Sequence, residues 1–202
     1  MKAVILISGN GSNLQSLIDN ADRIDLQISC VISNNKNAFG IERAKSSKIK
    51  TFTIEPELFN SKMAFDEELI HIIDQHDIDL IILAGYMRIL TPIFVSHYFG
   101  KILNIHPSLL PKFPGLNTHQ KAIDASEKKH GVSVHFVTKD LDGGPIISQE
   151  SVSIENSDTT ETLSVKVLKK EHAIYPKVIH WYTQRRLKLI DNLTATLDGK
   201  II

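Results

Sequence analysis

The chain predicts a doubly wound α/β fold built on a mostly parallel central sheet. Three observations carry this. Short β-branched runs recur at Ala3–Ile7, Leu26–Ser33, Asp79–Ala84 and Lys101–His106, each apolar enough to be covered on both faces. Helical patterns alternate with them, and a β-α-β-α order implies parallel strands with right-handed crossovers. A glycine-bearing polar turn, Ser8-Gly9-Asn10-Gly11-Ser12-Asn13, follows the first run and opens a helix.

The elements follow in order. The helix after the turn carries Leu14, Leu17 and Ile18, and the second strand ends at Asn34-Asn35. Residues from Ala38 to Ser46 read as helix and those from Lys50 to Ile54 as a short strand. Phe65, Leu69 and Ile73 recur every four residues between Ser61 and His76, which marks an amphipathic helix. After His106 the texture changes: Pro107, Pro111 and Pro114 fall in one loop closed by Gly115, and Thr118 to Ser126 has helical character. Val132–Thr138 and Ile146–Ile154 flank Asp142-Gly143-Gly144-Pro145 and predict an antiparallel pair added to the sheet. Asp158 with Glu161 fits a capping box. The helix it starts carries Leu163, Val167 and Leu168, and Pro176 is expected to kink or end it near Tyr175. The tail from Arg186 has weak strand character and a turn at Asp198-Gly199. No repeat or linker interrupts the 202 residues, so one domain is expected, with a Rossmann-like phosphate-binding half (1–100) and a catalytic half (101–202).

Composition narrows the function. Apolar residues make up 42%, enough for a core, and 23 basic residues balance 23 acidic ones. That balance leaves no domain-wide positive field for a nucleic-acid backbone. The lone Cys30, inside an apolar run, excludes an internal disulfide and a multi-cysteine metal site. The nine histidines are scattered, and His71 and His76 are five apart, off the four-residue spacing of a shared helix face, so no metal is expected. Met1-Lys2-Ala3 runs straight into a strand without a charged leader, and no apolar run approaches the roughly 20 residues of a membrane span. A cytoplasmic protein with no membrane partner is therefore expected.

Asn104 and His106 are the most informative pair. Residues two apart in a strand project to one face. The carboxyl end of a strand in an open α/β sheet faces the ligand crevice. A donor amide beside a titratable ring suits a reaction in which an oxyanion forms and a proton moves; a core histidine and a capping asparagine are the structural alternative. Gly9 and Gly11 lie at a helix start, where free amides favour an anion. Leu14 stands in place of a third glycine and no Lys follows, so the loop suits a single phosphate better than a dinucleotide or a Walker site. Asp142 is explained by a turn alone; the functional alternative is a carboxylate folded back onto His106, where it would favour the imidazolium.

Ile7–Leu14, Leu83–Leu90, Leu103–Pro111, Gly131–Val137, Leu141–Pro145 and Glu171–Pro176 together resemble the phosphoribosylglycinamide formyltransferase family, from Met1 to about Ile190. The segment from Asn104 to Pro111 is shared by wider formyl-transfer enzymes. The glycine loop and the Glu171 segment point to the narrower substrate. The resemblance implies the formyltransferase fold and a reaction between two small molecules. In it the amine of 5-phosphoribosylglycinamide (glycinamide ribonucleotide) attacks the formyl carbon of 10-formyltetrahydrofolate, a consumed cosubstrate, without metal or covalent enzyme intermediate. It assigns oxyanion donation to Asn104, oxyanion stabilisation or general acid catalysis to His106, and orientation of His106 to Asp142. It assigns the phosphoribosylglycinamide to Gly11, Ser12, Asn13 and Glu171. It assigns the folate to Met87, Arg88, Ile89 and Leu90, to Thr138, Lys139, Asp140, Leu141 and Asp142, and to Asn104. Ser133 and His135 share a strand face behind these groups. Two departures stand out: Lys62 replaces an expected arginine near the folate's glutamate tail, losing the bidentate fork, and Asn117 replaces an expected histidine while His119 remains. A monomer or weak homodimer is expected.

Four rivals stand against this. A formyltetrahydrofolate hydrolase would carry an extra N-terminal domain, and a formyltransferase acting on methionyl-tRNA a further C-terminal domain and a basic surface. A serine hydrolase would place Ser108 or Ser133 in a Gly-x-Ser-x-Gly elbow, which neither occupies. A nucleotide-binding regulatory module would bind without turnover and tolerate His106→Asn.

Overall fold

The computed structural model describes residues 1–202. In chain order its main elements are β1 (Lys2–Ile7), α1 (Ser12–Asn20), β2 (Gln27–Ser33), α2 (Phe39–Ser46), β3 (Thr51–Thr53), α3 (Lys62–Asp74) and β4 (Leu80–Leu83). There follow α4 (Pro92–His97), β5 (Ile102–His106), α5 (Thr118–Asp124), β6 (Lys129–Phe136), β7 (Ile146–Ser153) and α6 (Thr160–Thr183). Three short strands, β8 (Leu187–Leu189), β9 (Ala195–Leu197) and β10 (Lys200–Ile201), close the chain.

Seven strands form one sheet in the order β3-β2-β1-β4-β5-β6-β7. Strands β1 to β5 are parallel, and β6 and β7 add antiparallel pairs at one edge. The sheet thus takes strands from both halves of the chain. Alternate residues of β1 explain the double cover. Ala3, Ile5 and Ile7 enter a core with Leu14 and Leu17 of α1 and Leu163, Val167 and Tyr175 of α6. Val4 and Leu6 enter a second core with Phe65, Leu69 and Ile73 of α3 and Phe94 of α4. The four-residue spacing read in α3 is therefore its buried stripe. Cys30 is fully buried in this second core, where burial pushes its thiol up to about 11.

The order of winding positions the site. The chain moves outward from β1 through β2 and β3, then returns to the other side of β1 with β4. Helices leave opposite faces at that reversal, and a crevice opens beyond the strand ends. The loops after β1, β4 and β5 meet there.

Three sequence expectations change. Helix α4 has no counterpart in the reading: its six residues are too few to show a period, and Thr91 caps it through Phe94 N at 3.5 Å. The capping box of α6 is Thr159 with Thr162, not Asp158 with Glu161. Asp158 lies outside the helix, bonded to Lys166 Nζ at 2.6 Å and to Glu155 N at 2.8 Å. Pro176 does not end α6, which continues to Thr183. A proline leaves the carbonyl four residues back without its donor; here that carbonyl, on His172, accepts from Ser16 Oγ of α1 at 3.0 Å. A tertiary bond replaces the missing helical one. The predicted C-terminal turn stands, with Gly199 at φ 77° between β9 and β10. No helix is long and apolar enough to cross a membrane.

Candidate active site

Strand β5 sets the geometry. Asn104 and His106 project to the same face, and the register of β6 places His135 opposite Asn104 and Ser133 opposite His106. His135 Nδ1 donates to the Phe136 carbonyl at 2.8 Å, so its Nε2 lone pair accepts from Asn104 Nδ2 at 3.0 Å. Burial, which outweighs the Phe136 carbonyl and the Asp142 carboxylate, pushes His135 down and keeps it neutral. The Asn104 amide is thereby oriented by a ring that serves as acceptor.

Asp142 arrives from the β6–β7 connection in the left-handed region, at φ 50°. The next turn residue but one must be glycine, because a Cβ on Gly144 would lie 2.0 Å from the Phe136 carbonyl oxygen. Asp142 Oδ2 accepts from Gly115 N at 2.9 Å and lies 3.5 Å from His106 Nδ1. Asp142 Oδ1 lies 3.5 Å from Asn104 Nδ2. His106 Nε2 donates to the Phe113 carbonyl at 2.9 Å. Both ring nitrogens of His106 thus face oxygen atoms. Of the two readings of Asp142, the carboxylate against His106 is the observed one.

The proline-rich loop is held from behind. Ser133 Oγ donates to Ser108 O at 2.6 Å and accepts from Leu110 N at 3.0 Å. Gln149 Nε2 reaches both Leu110 O, at 2.9 Å, and Ser133 Oγ, at 2.8 Å. Beside it, His130 Nε2 meets His119 Nδ1 at 3.1 Å. Burial, reinforced by His119, pushes His130 down to about 4. Burial and the proximity of His106 lower His119 as well.

The glycine loop is shaped by close packing. Gly11 precedes α1 at φ 75°, and a Cβ there would meet Gly40 Cα at 2.6 Å. Gly40 N donates to Gly9 O at 3.1 Å, and Arg43 clamps Asn10 through its carbonyl at 2.9 Å and its side chain at 3.1 Å. No side chain caps α1, so the amides of its first turn, from Ser12 onward, are available to a ligand. Asn13 Nδ2 donates to Glu171 Oε2 of α6 at 2.6 Å, while Asn13 Oδ1 is buried without a partner. Glu171 is buried, not a helix-surface residue; burial pushes its carboxyl up, against the opposing Asn13 bond.

Two cavities flank β5. The larger, of about 590 Å³, is lined by Gly11, Ser12, Asn13, Met87, Arg88, Ile89, Asn104, His106, Leu141, Asp142 and Glu171 among others. The smaller, of about 80 Å³, adds Leu90, Thr138, Lys139 and Asp140 and shares Asn104 and Asp142 with the larger. Arg88 stacks over Phe65, 4.2 Å from the ring centroid, with its Nε buried and unpartnered; Thr138 Oγ1 is likewise unpartnered. Both residues border the smaller cavity, and each keeps a polar atom whose hydrogen-bonding capacity the chain leaves unmet. Lys62 lines neither cavity and lies exposed at the start of α3. Sequence reasoning missed Tyr86, which lines both cavities, and Leu116, Gln120 and Thr160. Tyr86 sits between Gly85 and Met87 in a segment already singled out; the other three carry no signal of their own. No cluster of three or more His, Cys, Asp or Glu could hold a metal ion.

Residues 1–179 match the formyl transferase family model. The chain is 51% identical over 202 residues to the phosphoribosylglycinamide formyltransferase of Escherichia coli strain K12, covering 99% of this chain and 95% of that one. The structure of the phosphoribosylglycinamide formyltransferase of Coxiella burnetii matches with a TM-score of 0.95 at 49% identity, covering 100% of this chain and 95% of the other. A portion of the human trifunctional purine biosynthetic protein adenosine-3 is 40% identical over 193 residues, which is 95% of this chain and 19% of that protein. On these likenesses the chain belongs to the formyl transferase family, among its phosphoribosylglycinamide formyltransferases.

Proposed function

We propose that this protein transfers the formyl group of 10-formyltetrahydrofolate to the amine of 5-phosphoribosylglycinamide, giving formylglycinamide ribonucleotide and tetrahydrofolate in purine biosynthesis. One observation carries the reading: Asn104 and His106 of β5 converge with Asp142 of the β6–β7 connection beside a cavity with a phosphate-type loop, and Asn104 and Asp142 also line a second, smaller cavity.

Gly11, Ser12 and Asn13 hold the phosphoribosyl end, and Glu171 meets the ribose or guides the amine. The segments 87–90 and 138–142 hold the folate, with the unpartnered Thr138 hydroxyl and Arg88 Nε turned to polar atoms of that ligand. When the amine attacks the formyl carbon, its carbonyl oxygen gains negative charge. Asn104 Nδ2 donates to that oxygen, and protonated His106, once its Nε2 exchanges the Phe113 carbonyl for the substrate, donates to it or supplies a proton as the carbon–nitrogen bond to the folate breaks. Asp142 balances the charge on His106 throughout. The net proton movement runs from the attacking amine to the folate nitrogen, so the enzyme ends in the state in which it began. Lys62 lies outside both cavities and is left to the exposed glutamate tail. We further read residues 1–202 as one domain that works in the cytoplasm as a monomer or weak homodimer.

The test is an absorbance assay for tetrahydrofolate formation, with glycinamide ribonucleotide present and then omitted. Turnover that requires the amine supports the transferase. Equal turnover in its absence makes water the acceptor and overturns it.

A further inference from the structure

Ser8 follows β1 and lines neither cavity, yet all of its polar atoms are committed. Its backbone N–H donates to Gly85 O at 3.1 Å. Its hydroxyl accepts from Met87 N at 2.8 Å and gives its single proton to Asn34 Oδ1 at 2.5 Å. Its carbonyl accepts from Asn35 Nδ2 at 3.2 Å. These partners follow β2 and β4, the two neighbours of β1 in the sheet. The chain after Ser8 is the glycine loop that reaches Asn13. The chain after Met87 is the segment that borders the smaller cavity. The hydroxyl is therefore a bridge between two ligand-facing loops, with Asn34 fixing its proton so that a lone pair points at Met87 N.

We propose that Ser8 is a positioning residue that couples the two substrate sites. Glycinamide ribonucleotide seated on Gly11–Asn13 holds the end of β1 in place; Ser8 then fixes the Met87 amide, and with it the loop that receives the folate. The inference rests on the two-substrate reading above. Coupling of this kind is reciprocal, so each ligand must tighten the other by the same factor. A single hydrogen bond sets its size at about fivefold.

Isothermal titration calorimetry on the full chain measures it, with glycinamide ribonucleotide and with tetrahydrofolate, which has no formyl group to transfer. In the wild type, saturating tetrahydrofolate lowers the Kd for the ribonucleotide about fivefold, and in Ser8→Ala that ratio falls toward one. A merely structural serine predicts that both Kd values rise while their ratio stays, and that result overturns the proposal. So does a ratio of one in the wild type. Where circular dichroism shows Ser8→Ala to be misfolded, Asn34→Ala decides: it frees the hydroxyl to rotate, so the ratio must fall, and an unchanged ratio overturns the proposal. Failure of either ligand to bind the wild type alone refutes the substrate assignment itself, an outcome distinct from intact binding without coupling.

Discussion

Replacing Asn104 by alanine tests its proposed role as oxyanion donor. The amide donates to His135 Nε2 at 3.0 Å and stands 3.5 Å from Asp142 Oδ1, so it is held in place before any ligand arrives. A preorganised donor of this kind contributes about 3 kcal/mol to the barrier drop, which is roughly a 150-fold loss in kcat when it is removed. The same change strands the His135 lone pair, because His135 Nδ1 already donates to Phe136 O. An unsatisfied buried acceptor costs about 1–3 kcal/mol of stability, so the variant is assayed well below its melting temperature, with circular dichroism as the check. Initial rates of tetrahydrofolate formation, with each substrate varied in turn, separate the cases. A fall in kcat at near-constant KM marks an interaction made in the transition state. A kcat within about fivefold of wild type, with KM for the formyl folate raised instead, would refute the reasoning and leave Asn104 as a binding contact.

Four further substitutions have expected outcomes. Asp142→Asn removes the counter-charge beside His106 and is expected to lower kcat by about 10²-fold or more with the fold intact, measured in the same assay. Glu171→Gln keeps an oxygen for Asn13 but loses the charge; KM for glycinamide ribonucleotide rises about tenfold or more, as for a lost charged hydrogen bond. Glu171 also sets a pH dependence of stability. Its carboxyl is raised in the folded state, so the wild type loses stability as pH climbs above the ordinary carboxylate range, whereas Glu171→Gln does not; melting curves of the two must diverge toward neutral pH and converge in acid. His130 carries the opposite sign: folded near 4 against 6.5 when unfolded, it costs stability as pH falls through that window, and His130→Gln flattens this limb of the melting profile. Lys62→Ala leaves KM for the monoglutamyl formyl folate within about twofold, since the ammonium is exposed and outside both cavities.

Much of this fold is legible because its signals are local. The β-branched runs of β1, β2, β4 and β5 are buried strands, and the four-residue spacing in α3 is its core stripe. The errors arise where a distant partner overrides a local rule or where the local pattern is too short or too ambiguous. Pro176 breaks helices unless something rescues the freed carbonyl, and the rescuer, Ser16, lies 156 residues away from His172. Helix α4 is too short for periodicity, and two threonines cap α6 where an aspartate and a glutamate satisfy the same pattern one residue earlier. Asn104 and His106 were readable from spacing, because the pleat places them on one face. The contact of Asp142 with His106 was not, because it depends on the strained turn before Gly143 and on the Gly115 amide. Tyr86, Leu116, Gln120 and Thr160 join the cavity walls only through tertiary folding.

The bond from Asn13 to Glu171 spans 158 residues. A ribosome delivering this chain therefore releases the glycine loop first and its acidic counterpart near the end. Until α6 has emerged and docked against α1, the nascent protein holds an open, half-walled pocket. The complete wall of the larger cavity is among the last features it gains during synthesis.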